Sequence, residues 1–241
     1  MKFVMKFYRQ TLGKISTNYR KSDNWMSMRN MEIFNQLSSA QSDKTEKSNR
    51  IAADKCIKNP KLLNDIATGF LSADKKLQSD CIEVFTMVSE NHPDLIVPLA
   101  DKILPLLKNK ETKTRWEAVH TLSFIADKIP EIICSILPDL QELIKKDKSA
   151  IVRDYTVDTV ANFAKFDKDS SEKAFGILKM ALDLWNEKHT KQVFQGFSNI
   201  LDNKPAYKTD IGKITRPYLD AKKKVVVKEA KKIIKRIEKQ G

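Results

Sequence analysis

The sequence predicts an all-α solenoid, and two observations support this fold class. An apolar triplet at positions i, i+4 and i+7 occurs five times, and its starting points lie 37, 38, 37 and 37 residues apart. A helical spacing with such a period is typical of solenoids, in which each unit buries its apolar face against its neighbours. Composition agrees, because 41% hydrophobic residues and only 6 glycines favour ordered helices over a β-sandwich. The triplets are Cys81/Phe85/Val88, Ala118/Leu122/Ile125, Thr156/Val160/Phe163, Val193/Phe197/Ile200 and Ala230/Ile234/Ile237.

Each central unit is predicted to contain two antiparallel helices. In the third unit the first helix runs from about Thr112 to Lys128, and Pro130 begins a second helix that ends near Lys146. Proline is tolerated in the first turn of a helix because the N–H that it lacks would have no partner there. Pro93 lies 37 residues before Pro130, which indicates the same arrangement in the preceding unit. We therefore assign residues 43–221 to the repeats.

The two ends of the chain differ from the repeats. Residues 1–40 lack the period and are predicted to form an N-terminal helical cap. Residues 222–241 are predicted to form a basic C-terminal capping helix with one apolar side. The first unit is short, so its second helix, from about Lys61 to Leu71, should be truncated. All of these parts belong to one continuous domain.

A short motif recurs in the first helices: a basic residue followed three positions later by a small residue. It occurs at Arg50…Ala53, Arg115…Ala118 and Arg153…Thr156, and a second helix runs from Pro130 to Leu140-Gln141-Glu142-Leu143. These segments resemble the HEAT-repeat family, in which V-R-x-x-A and L-x-x-L cores are common. The resemblance covers residues 43–240 and implies a right-handed, armadillo-like superhelix of about five helix pairs. It also implies a binding scaffold, although the superfamily includes DNA glycosylases.

The net charge of +13 is concentrated at the two ends. Residues 1–31 carry seven basic side chains and one acid, and residues 222–241 carry nine basic side chains and two acids. Residues 32–221 are therefore electrically balanced. The total charge points to nucleic acid, but its distribution argues against nucleic acid wrapped along the whole solenoid.

Motifs of enzymes and cofactor sites are missing from the sequence. It contains no HExxH, GxGxxG, GxxxxGK[ST], GxSxG or CxxC pattern. The three histidines and three cysteines lack the spacing of zinc ligands, so we expect no metal, no cofactor and no catalytic residue. Reduced thiols indicate a cytoplasmic protein. No segment has the apolar length of a membrane span.

Two groups of residues are candidates for partner binding. The first group consists of lysines between units, which we call the joint lysines. Because the units repeat, these lysines should align along one edge of the solenoid. The alternative is that they favour helix C-termini and keep the loops soluble. Acidic residues such as Glu83, Glu117, Asp154 and Asp158 should balance them on the outer face of the first helices. The joint lysines are Lys108, Lys110, Lys113, Lys145, Lys146, Lys148, Lys188, Lys191, Lys222, Lys223 and Lys224.

The second group is aromatic. Trp116 and His120 occupy repeat positions that are polar in the other units, so both should face solvent, where aromatic residues favour interfaces. The alternative for Trp116 is that it packs against a neighbouring helix or lies flat on aliphatic side-chain stems. Trp185 lies three residues before Lys188 and either adds an aromatic to the lysine edge or is buried against the next unit.

These observations predict a non-catalytic scaffold that binds a protein or an acidic peptide on a concave surface of second helices. The alternative is a nucleic-acid-binding protein related to alkylpurine DNA glycosylases. Those enzymes use a catalytic aspartate, whereas Trp116 is followed by Glu117, and no position here matches that aspartate. The sequence predicts neither the identity of the partner nor an oligomeric state.

Overall fold

The computed structural model describes residues 32–239, and within that range it consists of helices and turns without a strand. The predicted N-terminal cap lies mostly outside the described residues, but Ile33 and Leu37 join the core. No helix in the described range is long and apolar enough to cross a membrane. The helices are α1 (Lys47–Lys58), α2 (Leu62–Thr68), α3 (Lys75–Ser89), α4 (Ala100–Ile103), α5 (Thr112–Ile125), α6 (Pro130–Lys146), α7 (Ala150–Phe163), α8 (Lys168–Asp183), α9 (Thr190–Asn203), α10 (Lys208–Thr215) and α11 (Lys224–Lys239).

The predicted solenoid is confirmed. The first helices of successive units are α1, α3, α5, α7, α9 and α11, and each packs against the next. Every side chain of the five triplets is buried, from Cys81 to Ile237, and one hydrophobic core runs through the described residues. Because each triplet faces its neighbours, burial of one unit depends on the presence of the next.

The second helices are regular only in the two central units. The third unit has α6, which begins at Pro130 and ends at Lys146 as predicted. In the second unit the predicted helix is instead a series of short turns, Val97–Leu99, α4 and Leu104–Lys108. Pro98 and Pro105 each remove a helical hydrogen bond and crowd the preceding turn. The fifth unit is divided in the same way into Pro205–Tyr207, α10 and Arg216–Asp220.

Three predicted helix boundaries need small corrections. The first helix of the third unit ends at Ile125, three residues before the predicted Lys128. The last helix begins at Lys224, two residues after its predicted start. In the first unit a turn of 3-10 helix, Gly69–Leu71, completes the short second helix.

Buried and half-buried asparagine side chains connect adjacent first helices. Asn162 Nδ2 on α7 donates to the Ser123 carbonyl of α5 over 2.9 Å, and Asn199 Nδ2 on α9 donates to the Ala161 carbonyl of α7 over 2.8 Å. A Cβ at Gly196 would lie 3.0 Å from Ala161 Cβ, so glycine permits α7 and α9 to approach closely. These contacts make the first helices the closely packed row of the solenoid.

The motif arginines anchor loops between units. Arg115 Nε donates to Asp147 Oδ2 over 2.7 Å, and its Nη1 donates to the Asn109 carbonyl over 2.8 Å. Arg153 is 3% exposed and donates to the Asp147 carbonyl. Arg50 forms only an exposed ion pair with Glu90. The motif that indicated the family resemblance is therefore structural in the third and fourth units.

Candidate binding surface on the first helices

An aromatic strip crosses the first helices of the third and fourth units; it consists of Trp116, His120, Phe124 and Tyr155. The three residues on α5 are spaced four apart and share one helix face. The His120 ring stacks on the Tyr155 ring of α7 at 3.7 Å between centroids, and it contacts the Phe124 ring at 4.9 Å. All four side chains are half-buried, so each still presents part of its surface to solvent.

Burial shapes the chemistry of the strip. It lowers the pKa of His120 to about 4, so the imidazole is neutral at pH 7. The Trp116 side chain lies against the core, yet its Nε1 is buried without a hydrogen-bond partner among the described residues. Trp116 is thus less exposed than the repeat register predicts. A buried indole N–H without an acceptor lowers stability, so the position of Trp116 has a cost in folding.

Two carboxylates beside the strip, Glu117 and Asp158, form no salt bridge within the described range; we call them the unpaired carboxylates. Burial raises the pKa of Glu117 to about 7, and Glu83 adds to this effect. Burial likewise raises the pKa of Asp158 to about 6, together with Asp154. Burial also raises the pKa of Tyr155, and both carboxylates contribute to that shift, so negative charge lies close to the strip.

The expectation that acidic residues occupy the outer face of the first helices is wrong for Glu83 and Glu117. Their exposed fractions are 5% and 4%, because each first helix is flanked by another first helix on both sides. Asp154 and Asp158 are half-buried. Glu83 accepts hydrogen bonds from Lys113 Nζ over 3.0 Å and from Asn49 Nδ2 over 2.6 Å.

An open cavity of about 900 Å³ continues the strip toward the N-terminal end of the described residues. Its lining includes Trp116 and Lys113 of α5, Asp80 and Glu83 of α3, and residues of the segment 38–46. Asp80 is held by the Ser39 amide, which donates to its Oδ2 over 2.7 Å. The cavity and the strip together form one continuous surface, which we call the first-helix face.

The joint lysines are all exposed. Three of them form ion pairs: Lys108 with Asp139, Lys113 with Glu83, and Lys146 with Glu142. Lys113 belongs to the first-helix face, so the structure brings one joint lysine together with Trp116. The alignment of the others along one edge stays a prediction.

Trp185 covers a buried polar network that sequence reasoning missed. The Arg153 guanidinium lies 3.8 Å from the centre of the Trp185 ring, and Trp185 Nε1 donates to the Ile144 carbonyl over 2.8 Å. Arg153 Nε donates to His189 Nε2 over 3.2 Å, and His189 Nδ1 lies 2.6 Å from Asp154 Oδ1. Because Arg153 can only donate, Nε2 must accept, and the imidazole proton sits on Nδ1.

This network gives Trp185 a structural role, although 37% of its surface is exposed. Its backbone φ of 57° lies in the left-handed region, which bulky residues seldom adopt. The indole hydrogen bond and the stacked guanidinium hold that conformation.

Phe124 and Tyr155 are also functional candidates that the sequence reasoning missed. Tyr155 occupies the repeat position of Asp80, Glu117 and Gln192, so an aromatic residue replaces polar ones there, as it does at Trp116. The same signal that identified Trp116 therefore identifies Tyr155. Phe124 gives a weaker form of the same signal, since Asn162, Asn199 and Arg236 hold its position in the later units but the apolar Met87 holds it in the second unit.

Comparison with known proteins supports the fold. No protein-family model and no curated protein sequence matches the chain. One designed armadillo repeat protein superposes with a TM-score of 0.63 and 16% identity, over 91% of this chain and 96% of its own. Another, in complex with peptide (KR)4, gives a TM-score of 0.66 and 18% identity, over 85% and 97% of the two chains. An engineered protein of the Northeast Structural Genomics Consortium superposes with a TM-score of 0.65 and 17% identity, over 88% of this chain and 98% of its own. The chain has the fold of an armadillo-like α-solenoid.

Proposed function

We propose that this protein is a non-catalytic repeat scaffold that binds an extended protein segment rich in lysine and arginine along its first-helix face. The observation that carries the proposal is the aromatic strip beside the unpaired carboxylates, of which Asp158 is half-buried and open to a ligand while the buried Glu117 contributes its charge from nearby. A lysine or arginine side chain can lie over an aromatic face and donate to a carboxylate at the same time. Such a cation would also favour the charged form of both carboxylates.

The packing of the helices supports the choice of surface. First helices lie against one another at each step, whereas second helices such as α6 and α8 contact each other more sparsely than α5 and α7 do. In a curved solenoid, the row of helices on the concave side is more closely spaced than the row on the convex side. This geometry favours a concave side made of first helices, in place of the second helices expected from the sequence. One similar fold, a designed armadillo protein, was solved with the peptide (KR)4.

The proposal is tested by fluorescence anisotropy with two labelled octapeptides, (KR)4 and its acidic counterpart (ED)4. We expect the full chain to bind (KR)4 and not (ED)4 at pH 8. Trp116→Ala should weaken binding of (KR)4 about tenfold or more, as for a central aromatic contact. Asp158→Asn, which preserves shape, should weaken it as well.

Phe166→Ala provides the matched control, because Phe166 is 52% exposed and lies outside the strip. Its affinity for (KR)4 should equal that of the unaltered chain. Preferential binding of (ED)4, or equal losses from Trp116→Ala and Phe166→Ala, would refute the proposed surface.

A further inference from the structure

The last helix, α11, carries a lysine stripe: Lys224, Lys228, Lys231, Lys235 and Lys239. These residues are spaced by four, three, four and four, so they follow one face over about 22 Å at a rise of 1.5 Å per residue. All five are exposed. None of them has a salt bridge to any described residue, whereas the neighbouring Lys232 pairs with Glu229 and Arg236 pairs with Asp202.

The opposite face of α11 fixes the helix on the solenoid. Val226, Ala230, Ile233 and Ile237 are buried, and α11 packs on α9, on α10 and on the turn Arg216–Asp220. The lysine stripe is therefore displayed on a folded surface in one fixed direction. A partner meets five cations that are already aligned.

The ordinary explanation for helical lysines accounts for only the C-terminal end of this stripe. Lysine is favoured near helix C-termini, where it offsets the negative end of the helix dipole, and Lys239 lies in the last turn. Lys224 stands instead at the N-terminus, where the dipole is positive, with Lys222 and Lys223 just before it and no acidic residue in the first turn. Lysines spaced three and four apart also repel one another. The arrangement opposes folding and becomes favourable when an anionic partner lies along it.

We propose that the lysine stripe of α11 binds the phosphate backbone of a nucleic-acid duplex without reading its sequence. A stretch of duplex about 22 Å long presents roughly 13 phosphates, enough to engage all five lysines. Protein interfaces are depleted in lysine and need apolar or aromatic anchors, which the stripe lacks. A membrane-bound helix inserts its apolar face, and the apolar face of α11 is already buried in the solenoid. This inference concerns a different surface from the first-helix face and does not rest on peptide binding.

The test is the salt dependence of anisotropy with a fluorescein-labelled DNA duplex of 20 base pairs and the full chain. Five phosphate contacts give a slope of about −4.5 for log K against log salt, which is a roughly 500-fold loss of affinity between 50 and 200 mM. The basic side chains in residues 1–31 would also contribute to the slope of the unaltered chain. The decisive quantity is therefore the change in slope that substitution of the stripe lysines causes. The triple variant Lys228→Gln, Lys231→Gln, Lys235→Gln should reduce the slope by about 2.7.

The matched control is Lys110→Gln, Lys145→Gln, Lys148→Gln, which removes the same charge from three exposed joint lysines without a salt bridge in the described structure. It should leave the slope unchanged, and circular dichroism should show both variants folded. No binding at 50 mM salt, or equal slope changes in the two triple variants, would overturn the inference. So would tighter stripe-dependent binding to phosphatidylserine vesicles or to polyglutamate. An RNA duplex of the same length should bind with a similar slope.

Discussion

Replacing Glu117 by glutamine should stabilise the protein at neutral and alkaline pH. Its side chain lies between α3 and α5, where Glu83 and Glu46 add negative charge and Lys113 is the nearby cation. Burial raises the pKa of Glu117 from 4.5 to about 7, so the folded state holds a proton that the unfolded chain has released. Glutamine keeps the shape and the ability to accept a hydrogen bond while removing the charge.

The magnitude follows from linkage between protonation and folding. Below pH 4.5 the carboxyl of Glu117 is protonated in both states and its pKa shift has no effect on stability. As the pH rises from 4.5 to about 7, the folded state loses roughly 3 kcal/mol relative to the unfolded chain, and the loss is complete above that range. Glu117→Gln should therefore be neutral near pH 4 and stabilising by about 2–3 kcal/mol near pH 8.

Urea unfolding of the full chain, followed by circular dichroism at both pH values, measures this difference. Glu83→Gln is the matched control, because Glu83 accepts hydrogen bonds from Lys113 and Asn49. Removing that charge should lower stability at pH 8. If Glu117→Gln leaves the unfolding free energy at pH 8 unchanged or lowers it, Glu117 is not an unpaired buried acid.

Three further predictions concern packing, the motif arginines and pH. Gly196→Ala should destabilise by about 1–3 kcal/mol, because its Cβ would lie 2.5 Å from Leu178 Cδ1. Gly176→Ala, with open space around it, should stabilise α8 slightly in the same thermal melts. Arg153→Ala should cost about 1–3 kcal/mol, since it leaves His189 Nε2 and the Asp147 carbonyl without their donor. Arg50→Ala at the equivalent motif position should cost less than about 1 kcal/mol in the same urea titration. Binding of (KR)4 should weaken as the pH falls from 8 to 5, because the unpaired carboxylates become protonated; a flat anisotropy profile would contradict their role.

Sequence patterns predict the core of this protein well. The triplets depend only on helical spacing, and every one of their side chains is buried, as expected. The second helix of the second unit is less predictable, because it matches the repeat in its apolar stripe but contains Pro98 and Pro105. Pro138 lies inside α6 without ending it, so a proline alone does not decide the outcome.

The candidate surface was predictable where a residue departs from its equivalents in other units. Trp116 and His120 were recognised in this way. The burial of Glu117 was not, because a polar residue on one helix gives no sign that another helix covers it. The contact of His189 with Asp154 likewise depends on how α9 is placed against α7.

The central position of the third and fourth units has a consequence for how the protein unfolds. Among residues 32–239, only the third and fourth units possess long, uninterrupted second helices, and broken second helices flank them on both sides. Amide hydrogens in α5, α6, α7 and α8 should therefore exchange with solvent last, and those of the flanking turns first. The aromatic strip sits on this slowest-exchanging block, whereas the cavity beside it is lined by α3 and by residues of the segment 38–46. Opening at the C-terminal end would leave the first-helix face intact, and opening at the N-terminal end would remove the cavity but not the strip.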